Sequence, residues 1–300
     1  MFQRIFLVGI ILVSFLAGCA GPSGGDAGSQ AAGAYIQNKG SDTIVNLALA
    51  WAERYQGEHA DVRISVTGGG SGTGIAALIN GTVDIANASR QITDQEKAEA
   101  KKNGYDAIEY VIARDAIAVI VNPHNPIDHL TLQQISDIYS GKINNWSELG
   151  GDNRPIVRLS RESNSGTHVY FLQTVIRLGD SNSKTLFSPD TLLLPSSEGI
   201  IAEVRDNPNA IGYDGLGYIT PDVKTLALGM NGQGPFILPS IETVNNNQYP
   251  VSRDLYMYTN QNPSPAAQAY LKWIISDEAQ LIVKDLGFVP ILKKTGTGTP

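Results

Sequence analysis

From residue 34 nearly to the C-terminus, short apolar runs alternate with amphipathic stretches, and this alternation restricts the chain to a layered α/β architecture. Residues 34–37, 62–66, 83–86, 156–159, 210–213 and 254–258 read as strands. Residues 117–121 are apolar at every position, which suits a strand covered on both faces. Residues 43–55 place Ile44, Leu47, Ala48, Trp51 and Tyr55 at helical spacing, and 74–79 read as a short helix. A charged helix over 93–102 opens with Thr93 and Glu96 in the arrangement of a capping box. Further helices are expected at 165–176 and 197–204, then one long amphipathic helix from about 265 to 284, closed by Gly287. The rhythm predicts mainly parallel strands, and 300 residues leave room for two domains. Two dipeptides echo each other: Arg114-Asp115 leads into 117–121, and Arg253-Asp254 into 255–258. Such an echo arises by chance between common residues, or marks two crossings between the lobes of a clamshell.

The N-terminus speaks of location. Arg4 precedes an apolar run over 5–17, too short for a membrane span of about 20 residues and suited to a signal peptide. The run ends Leu16-Ala17-Gly18-Cys19, matching the lipobox of bacterial lipoproteins, and Cys19 is the single cysteine of the chain. Residues 1–19 are therefore expected to be a lipoprotein signal, with lipidation on Cys19. Residues 20–33, small and polar, are expected to be a flexible tether, and 293–300 a frayed tail. The mature protein is expected in a periplasm or at a cell surface, held to a membrane. One cysteine excludes an intrachain disulfide and any CxxC site. With 22 basic and 29 acidic residues the net charge is −7, a poor match to nucleic acid, which requires a broad basic face.

Chemistry is concentrated in three loops of one kind: Gly40-Ser41-Asp42-Thr43, Thr67-Gly68-Gly69-Gly70-Ser71-Gly72-Thr73-Gly74 and Arg161-Glu162-Ser163-Asn164-Ser165-Gly166-Thr167. Each follows an expected strand and opens an expected helix. A helix start has unpaired N–H groups and partial positive charge, hydroxyls add donors, and glycine permits close approach, so each loop can hold an anion. Each can equally be an ordinary helix N-cap. A Walker A loop is excluded because no lysine follows Gly74, and a nucleophile elbow because Thr73 stands where glycine is required. Ser165 and His168 are poorly spaced for a nucleophile and its base, and His168 reads as packing or surface. His124, Asp128 and His129 lack a fourth metal ligand. No metal or other cofactor is expected. A secreted phosphatase or hydrolase using Ser165 or Ser71 is the rival from another class.

In this order, Gly40-Ser41-Asp42-Thr43, Gly68-Gly69-Gly70-Ser71-Gly72-Thr73-Gly74, Asp84-Ile85-Ala86-Asn87-Ala88-Ser89-Arg90 and Ser165-Gly166-Thr167 resemble the phosphate-binding proteins of bacterial phosphate ABC transporters. The stretch 135–151 around Trp146, residues 210–213 and residues 286–290 match as well, so the resemblance spans about residues 35–292. It implies a type II periplasmic-binding fold, two α/β lobes joined by two crossover strands with the ligand between them. Lobe 1 would comprise 34–114 and 252–292, and lobe 2 115–251. It implies a monomer that captures inorganic phosphate by closure and delivers it to a membrane permease, without catalysis. Another tetrahedral oxyanion (sulfate, molybdate or arsenate) is the alternative ligand. Carried over by motif, Ser41, Asp42, Thr43, Ser71, Ser89, Arg90, Arg161, Ser165, Gly166 and Thr167 would bind phosphate. Some members carry an aspartate near the Ser89-Arg90 position that accepts the proton of bound phosphate; here Asp42 is the proposed substitute. Sulfate has no such proton, so an acceptor would discriminate against it.

Overall fold

The structure, a computed structural model, describes residues 33–291. The expected signal peptide with Cys19, nearly all of the expected tether and the tail at 293–300 lie outside the described residues.

Three strand–helix units open the described chain. β1 (Ala34–Gly40) feeds α1 (Asp42–Glu58), β2 (Val62–Thr67) feeds α2 (Ser71–Ile79), and β3 (Ile85–Ala88) leads to α3 (Asp94–Lys102). The 14-residue β4 (Ile108–Val121) follows, then β5 (His129–Thr131), α4 (Leu132–Tyr139) and β6 (Val157–Arg161). α5 (Gly166–Phe171) runs into a π-helical turn, Leu172–Ile176. Next come β7 (Leu192–Leu194), α6 (Ser197–Asp206), β8 (Ala210–Gly215), β9 (Lys224–Thr225), β10 (Ala227–Gly229) and α7 (Ile241–Asn245). β11 (Ser252–Thr259), α8 (Pro265–Ile274) and α9 (Asp277–Asp285) complete the order.

One sheet runs β2-β1-β3-β11-β4-β8-β6-β7, with β9 beside β4, and a small parallel pair joins β5 to β10. The expectation of mainly parallel strands holds at the flanks, where β1 lies parallel to β2 and β3, and β6 to β7 and β8. It is corrected at the centre: β11 is antiparallel to β3 and β4, and β4 to β8 and β9. β11 returns to the first half of the sheet only after the second half is built, and so arrives running the other way. β4 pairs with β11 from Ile108 to Ala116 and with β8 from Ile117 to Val121, so one strand belongs to both halves. Its apolar end is buried throughout, as a run without alternation requires. The two Arg-Asp dipeptides face each other across β4 and β11, with Arg253 opposite Asp115 and Asp254 opposite Arg114.

Three local expectations are revised. The long helix breaks at Ser276, whose hydroxyl accepts the Ala279 N–H at 3.3 Å and starts α9 afresh. The third strand begins at Ile85, because Asp84 is occupied in a two-way link to Gln37: its N–H donates to the Gln37 carbonyl and its carboxylate accepts the Gln37 N–H. The helix expected over 165–176 finishes as the π-helical turn. The capping box of Thr93 and Glu96 forms as read.

Apolar side chains from the helices fill both faces of this sheet. Ile36, Leu47, Trp51, Leu255 and Tyr270 lie in one core, and Trp51 Nε1 donates to the Ala279 carbonyl at 2.9 Å, tying α1 to α9. Val119, Tyr139, Trp146, Phe171 and Tyr213 lie in another, where the Phe171 and Tyr213 rings stack at 3.6 Å. Each such side chain, fully buried, contributes about 1.5–3 kcal/mol. These cores fix the strand ends from which the loops project.

Candidate functional site

The three glycine–hydroxyl loops leave the C-terminal ends of β1, β2 and β6, and Ser89 follows β3. That is the edge of an α/β sheet at which ligands bind. The loops are hydrogen-bonded to one another. Gly70 N–H donates to the Gly40 carbonyl at 2.9 Å, and Gly72 N–H to the Asn164 carbonyl at 3.1 Å. Asn164 Nδ2 donates to the Gly69 carbonyl at 3.0 Å. Thr43 Oγ1 and Thr167 Oγ1 lie 2.8 Å apart. Ser71 Oγ accepts the Ser89 N–H at 3.0 Å and stands 3.3 Å from Ser89 Oγ. Gly166 closes the ring: a Cβ there would sit 2.4 Å from Ser71 Oγ and 2.6 Å from Ser89 Oγ. Residues from four separate stretches of sequence thus converge on one small volume.

Glycine is required in two of these loops for identifiable reasons. Gly40 has φ +146° and its position for a Cβ falls 2.1 Å from the Asn87 carbonyl oxygen. Gly70 has φ +95° and faces the Asn164 carbonyl.

The helix starts separate a ligand reading from a capping reading. Thr93, Thr131, Ser165, Ser196, Ser240, Ser264 and Ser276 each accept a backbone N–H at the start of α3 to α9. α1 and α2 have no side-chain cap. Ser41 stands at the N-cap of α1, is 2% exposed, and its hydroxyl has no hydrogen-bond partner among the described residues. Of the three loops, the third therefore has the ordinary cap, since Ser165 Oγ accepts the Thr167 N–H at 3.2 Å. The first two present helix N–H groups that no side chain satisfies.

Arg161 lies buried beside them. Its Nη2 donates to Asp42 Oδ2 at 2.9 Å and to the Pro195 carbonyl at 2.8 Å, and its Nη1 donates to Ser197 Oγ at 2.8 Å. Asp214 stands 3.6 Å from Nη1, and Nε is buried without a partner. Asp42 Oδ2 also accepts the Ser197 N–H at 3.1 Å, which leaves Oδ1 as the oxygen open to a further proton. Burial pushes the Asp214 carboxyl up to about 6, against the pull of Arg161, the Gly215 N–H and the Ser197 hydroxyl, which favour its charged form. Arg90 lies against the second loop, its Nη2 3.8 Å from where a Cβ on Gly72 would sit, and its Nε is buried without a hydrogen-bond partner among the described residues. Its Nη1 and Nη2 both grip Glu96, at 2.8 and 2.7 Å. Burial raises Glu96, but the Arg90 and Thr93 hydrogen bonds outweigh it and hold that carboxyl below its usual range.

Three residues that sequence reasoning passed over belong to this assembly. Arg253 donates to Thr167 Oγ1 at 2.9 Å and to the Ser89 carbonyl at 2.9 Å, and pairs with the buried Asp115 at 3.0 Å. Burial raises Asp115 against the opposing charge of Arg253. Ser197, at the start of α6, joins Arg161 to Asp214 by donating to Asp214 Oδ1 at 3.0 Å. The Arg-Asp echo was the signal for Arg253 and Asp115; nothing local pointed to Ser197.

The hydrolase geometry is not assembled. His168 Nδ1 lies 3.0 Å from Ser160 Oγ, its ring stacks on Phe187, and burial lowers its pKa. Ser165 Oγ is the cap already described. Of the metal candidates, Asp128 pairs with Lys224, His124 bonds Asn122, and the His129 ring packs on Phe236. Among the described residues no group of three or more His, Cys, Asp or Glu is placed to hold a metal ion.

Sheet order, crossing strands and an anion-suited cluster between the two halves define a solute-binding class. A family profile for the PBP superfamily domain matches residues 25–278. The phosphate-binding protein PstS of Pseudomonas aeruginosa is 34% identical over 276 residues, covering 86% of this chain and 84% of that protein. PstS of Bacillus subtilis is 29% identical over 265 residues, covering 88% and 83%. Among solved structures, a putative phosphate ABC transporter substrate-binding protein with bound phosphate from Clostridium perfringens superposes with a TM-score of 0.77 at 31% identity, covering 86% of this chain and all of that one. An ABC-type phosphate transport receptor from Vibrio cholerae gives 0.68 at 26% identity, covering 86% and 100%. The chain belongs to the PstS family of phosphate-binding proteins, a family of solute-binding proteins and not of enzymes.

Proposed function

We propose that this protein captures inorganic phosphate outside the cytoplasm and delivers it to the permease of an ABC transporter. The observation that carries this reading is the pair of uncapped helix starts at Ser41 and Ser71, set against Arg161, Thr43, Thr167 and Gly166. Ser41 and Arg161 bring a hydroxyl and a guanidinium N–H that are buried with no partner of their own. Hydrogen bonds to a charged group contribute about 1.5–3 kcal/mol each. Several of them reach the roughly −8 kcal/mol of a micromolar complex.

Ser41, Thr43, Ser71 and Ser89 lie in the half that includes β1 to β3, and Arg161 to Thr167 in the half that includes β6. An oxyanion bridging the two makes contacts that an open form lacks, so it favours closure. The hinge in this reading is the β4–β11 pair, with lobes at 34–114 plus 252–292 and at 115–251. Asp42 is the acceptor for the phosphate proton. Glu96 holds the two Nη groups of Arg90 and fixes the turn after β3, while the buried Nε of Arg90, without a partner among the described residues, remains a donor for the ligand. Cys19 is the lipid attachment point, and the mature chain acts as a monomer on the outer face of a membrane.

The test is calorimetry on protein stripped of ligand, titrated with phosphate and with sulfate near pH 5 and pH 8. One-to-one phosphate binding without sulfate binding is the expected result. Sulfate binding alone replaces the ligand, and binding of neither ion overturns the reading. For the anchor, labelled fatty acid is expected on the wild-type protein and absent from Cys19→Ser, which leaves the membrane fraction.

A further inference from the structure

Arg253 touches three parts of the site at once. Nη1 donates to the Ser89 carbonyl, Nη2 donates to Thr167 Oγ1, and Nη2 and Nε both face Asp115 Oδ2 at 3.0 and 3.3 Å. The Tyr170 ring lies 5.5 Å from the guanidinium carbon. A guanidinium carries donors and no acceptor, so Thr167 Oγ1 must accept from Arg253. Thr167 and Thr43 share one further hydrogen bond at 2.8 Å. Two hydroxyls have two protons, and one is spent between them. Whichever residue gives it, one proton is left, and Arg253, which has no acceptor, cannot take it.

We propose that Arg253 is a positioning residue for anion capture: by filling the acceptor side of Thr167 it directs the free proton of the Thr43–Thr167 pair toward the bound oxyanion. Arg253 makes no ligand contact in this account. The main chain does the same for the neighbouring pair, where the Ser89 N–H donates to Ser71 Oγ and the two hydroxyls, 3.3 Å apart, keep one proton between them to spare. A side chain at 253 that could accept would draw the free proton off and turn a hydroxyl lone pair toward the anion. The inference rests on the phosphate reading above.

The test is a double-mutant cycle on the full chain, read by calorimetry with inorganic phosphate. Arg253→Gln together with Asp115→Asn removes the charge pair without leaving either charge alone, and supplies an acceptor at 253. It is expected to weaken phosphate binding about 10- to 100-fold, the range of one charge-assisted hydrogen bond. Arg253→Lys, a donor only, is expected to bind at least about 10-fold tighter than the Gln/Asn variant. In a Thr167→Val background the Gln/Asn change is expected to cost less than about 3-fold, because the hydroxyl it acts through is gone. Thermal unfolding without ligand establishes that each variant folds. Should the Gln/Asn variant unfold, Arg253→Gln with Asp115→Leu takes its place in the cycle and keeps the acceptor at 253. Equal losses in the wild-type and Thr167→Val backgrounds, or a lysine variant no better than glutamine, overturn the proposal. Wild-type protein that takes up no phosphate overturns the phosphate reading and this one together. Phosphate binding with additive losses overturns this one alone.

Discussion

Adding a single methyl group at Gly166 tests the convergence of the loops more directly than removing any donor. Gly166 is the first residue of α5 and its φ is not positive, so alanine suits the backbone and carries no conformational penalty. The new Cβ would lie 2.4 Å from Ser71 Oγ, 2.6 Å from Ser89 Oγ and 3.1 Å from Ser71 Cβ. Ser71 Oγ cannot simply swing away, because it holds the Ser89 N–H. Overpacking of this kind costs about 1–3 kcal/mol. The clash is relieved if the loop carrying Gly166 parts from those carrying Ser71 and Ser89, so the cost falls on the form that grips the ligand. On that reasoning Gly166→Ala weakens phosphate binding by about 5- to 150-fold, the same free energy expressed as Kd. Its melting temperature without ligand moves by only a few degrees, since about 1 kcal/mol shifts a domain of this size by about 2–4 °C. Calorimetry and a melting curve measure both. Gly199→Ala is the control: its Cβ would meet Ser196 Oγ at 3.4 Å, an ordinary contact, and phosphate affinity should stay within about 2-fold of wild type. Wild-type affinity in Gly166→Ala would show that no anion sits among Gly166, Ser71 and Ser89.

Three further outcomes are expected. Ser41→Ala should spare the roughly 1 kcal/mol that loss of a helix cap costs, because Ser41 caps nothing, yet weaken phosphate binding; Ser276→Ala should cost that stability and leave binding alone, with chemical denaturation and calorimetry as the paired measurements. Asp42→Asn should narrow the preference for phosphate over sulfate, because an amide that keeps its oxygen toward Arg161 and Ser197 turns an N–H toward the ligand; unchanged selectivity in competition binding would remove Asp42 from the role. Asp214 binds its proton more tightly folded than unfolded, so its contribution to stability is complete below about pH 4 and is lost as pH rises through about 6. Asp214→Asn should therefore gain on wild type by about 1–3 kcal/mol between pH 4 and pH 7 in denaturant melts, and a gap that does not change with pH would contradict the raised pKa.

Which parts of this site the sequence revealed follows from the range of the interactions involved. The strand–loop–helix corners are written within ten residues of chain, and all three glycine–hydroxyl loops fall where the rhythm places them. The strand direction at the centre is not, because apolar periodicity is the same read either way and only the return of β11 sets its sense. Ser276-Asp277-Glu278 is a helix start in its own right, obscured by the continuous apolar stripe on either side. Arg90 is legible by residue type and motif, but its pairing with Glu96, in the first turn of the next helix, is not, because only the folded turn brings the two together. Ser197 is distant in sequence from both Asp42 and Arg161 and has no motif around it, so only tertiary packing brings it to them.

The facing Arg-Asp dipeptides bind two distant codons into one hereditary unit. Asp115 and Arg253 are both buried, and loss of either partner alone leaves an uncompensated charge at a cost of about 3–5 kcal/mol. That is a large share of the roughly 5–15 kcal/mol by which a domain stays folded. A lineage can therefore exchange this pair for an uncharged one only by crossing a genotype close to unfolding, or by changing both positions nearly at once. Arg114 and Asp254, 3.6 Å apart with side chains 26% and 43% exposed, lie under no such restraint. Among relatives, substitutions at 115 and 253 should appear together, while those at 114 and 254 drift independently.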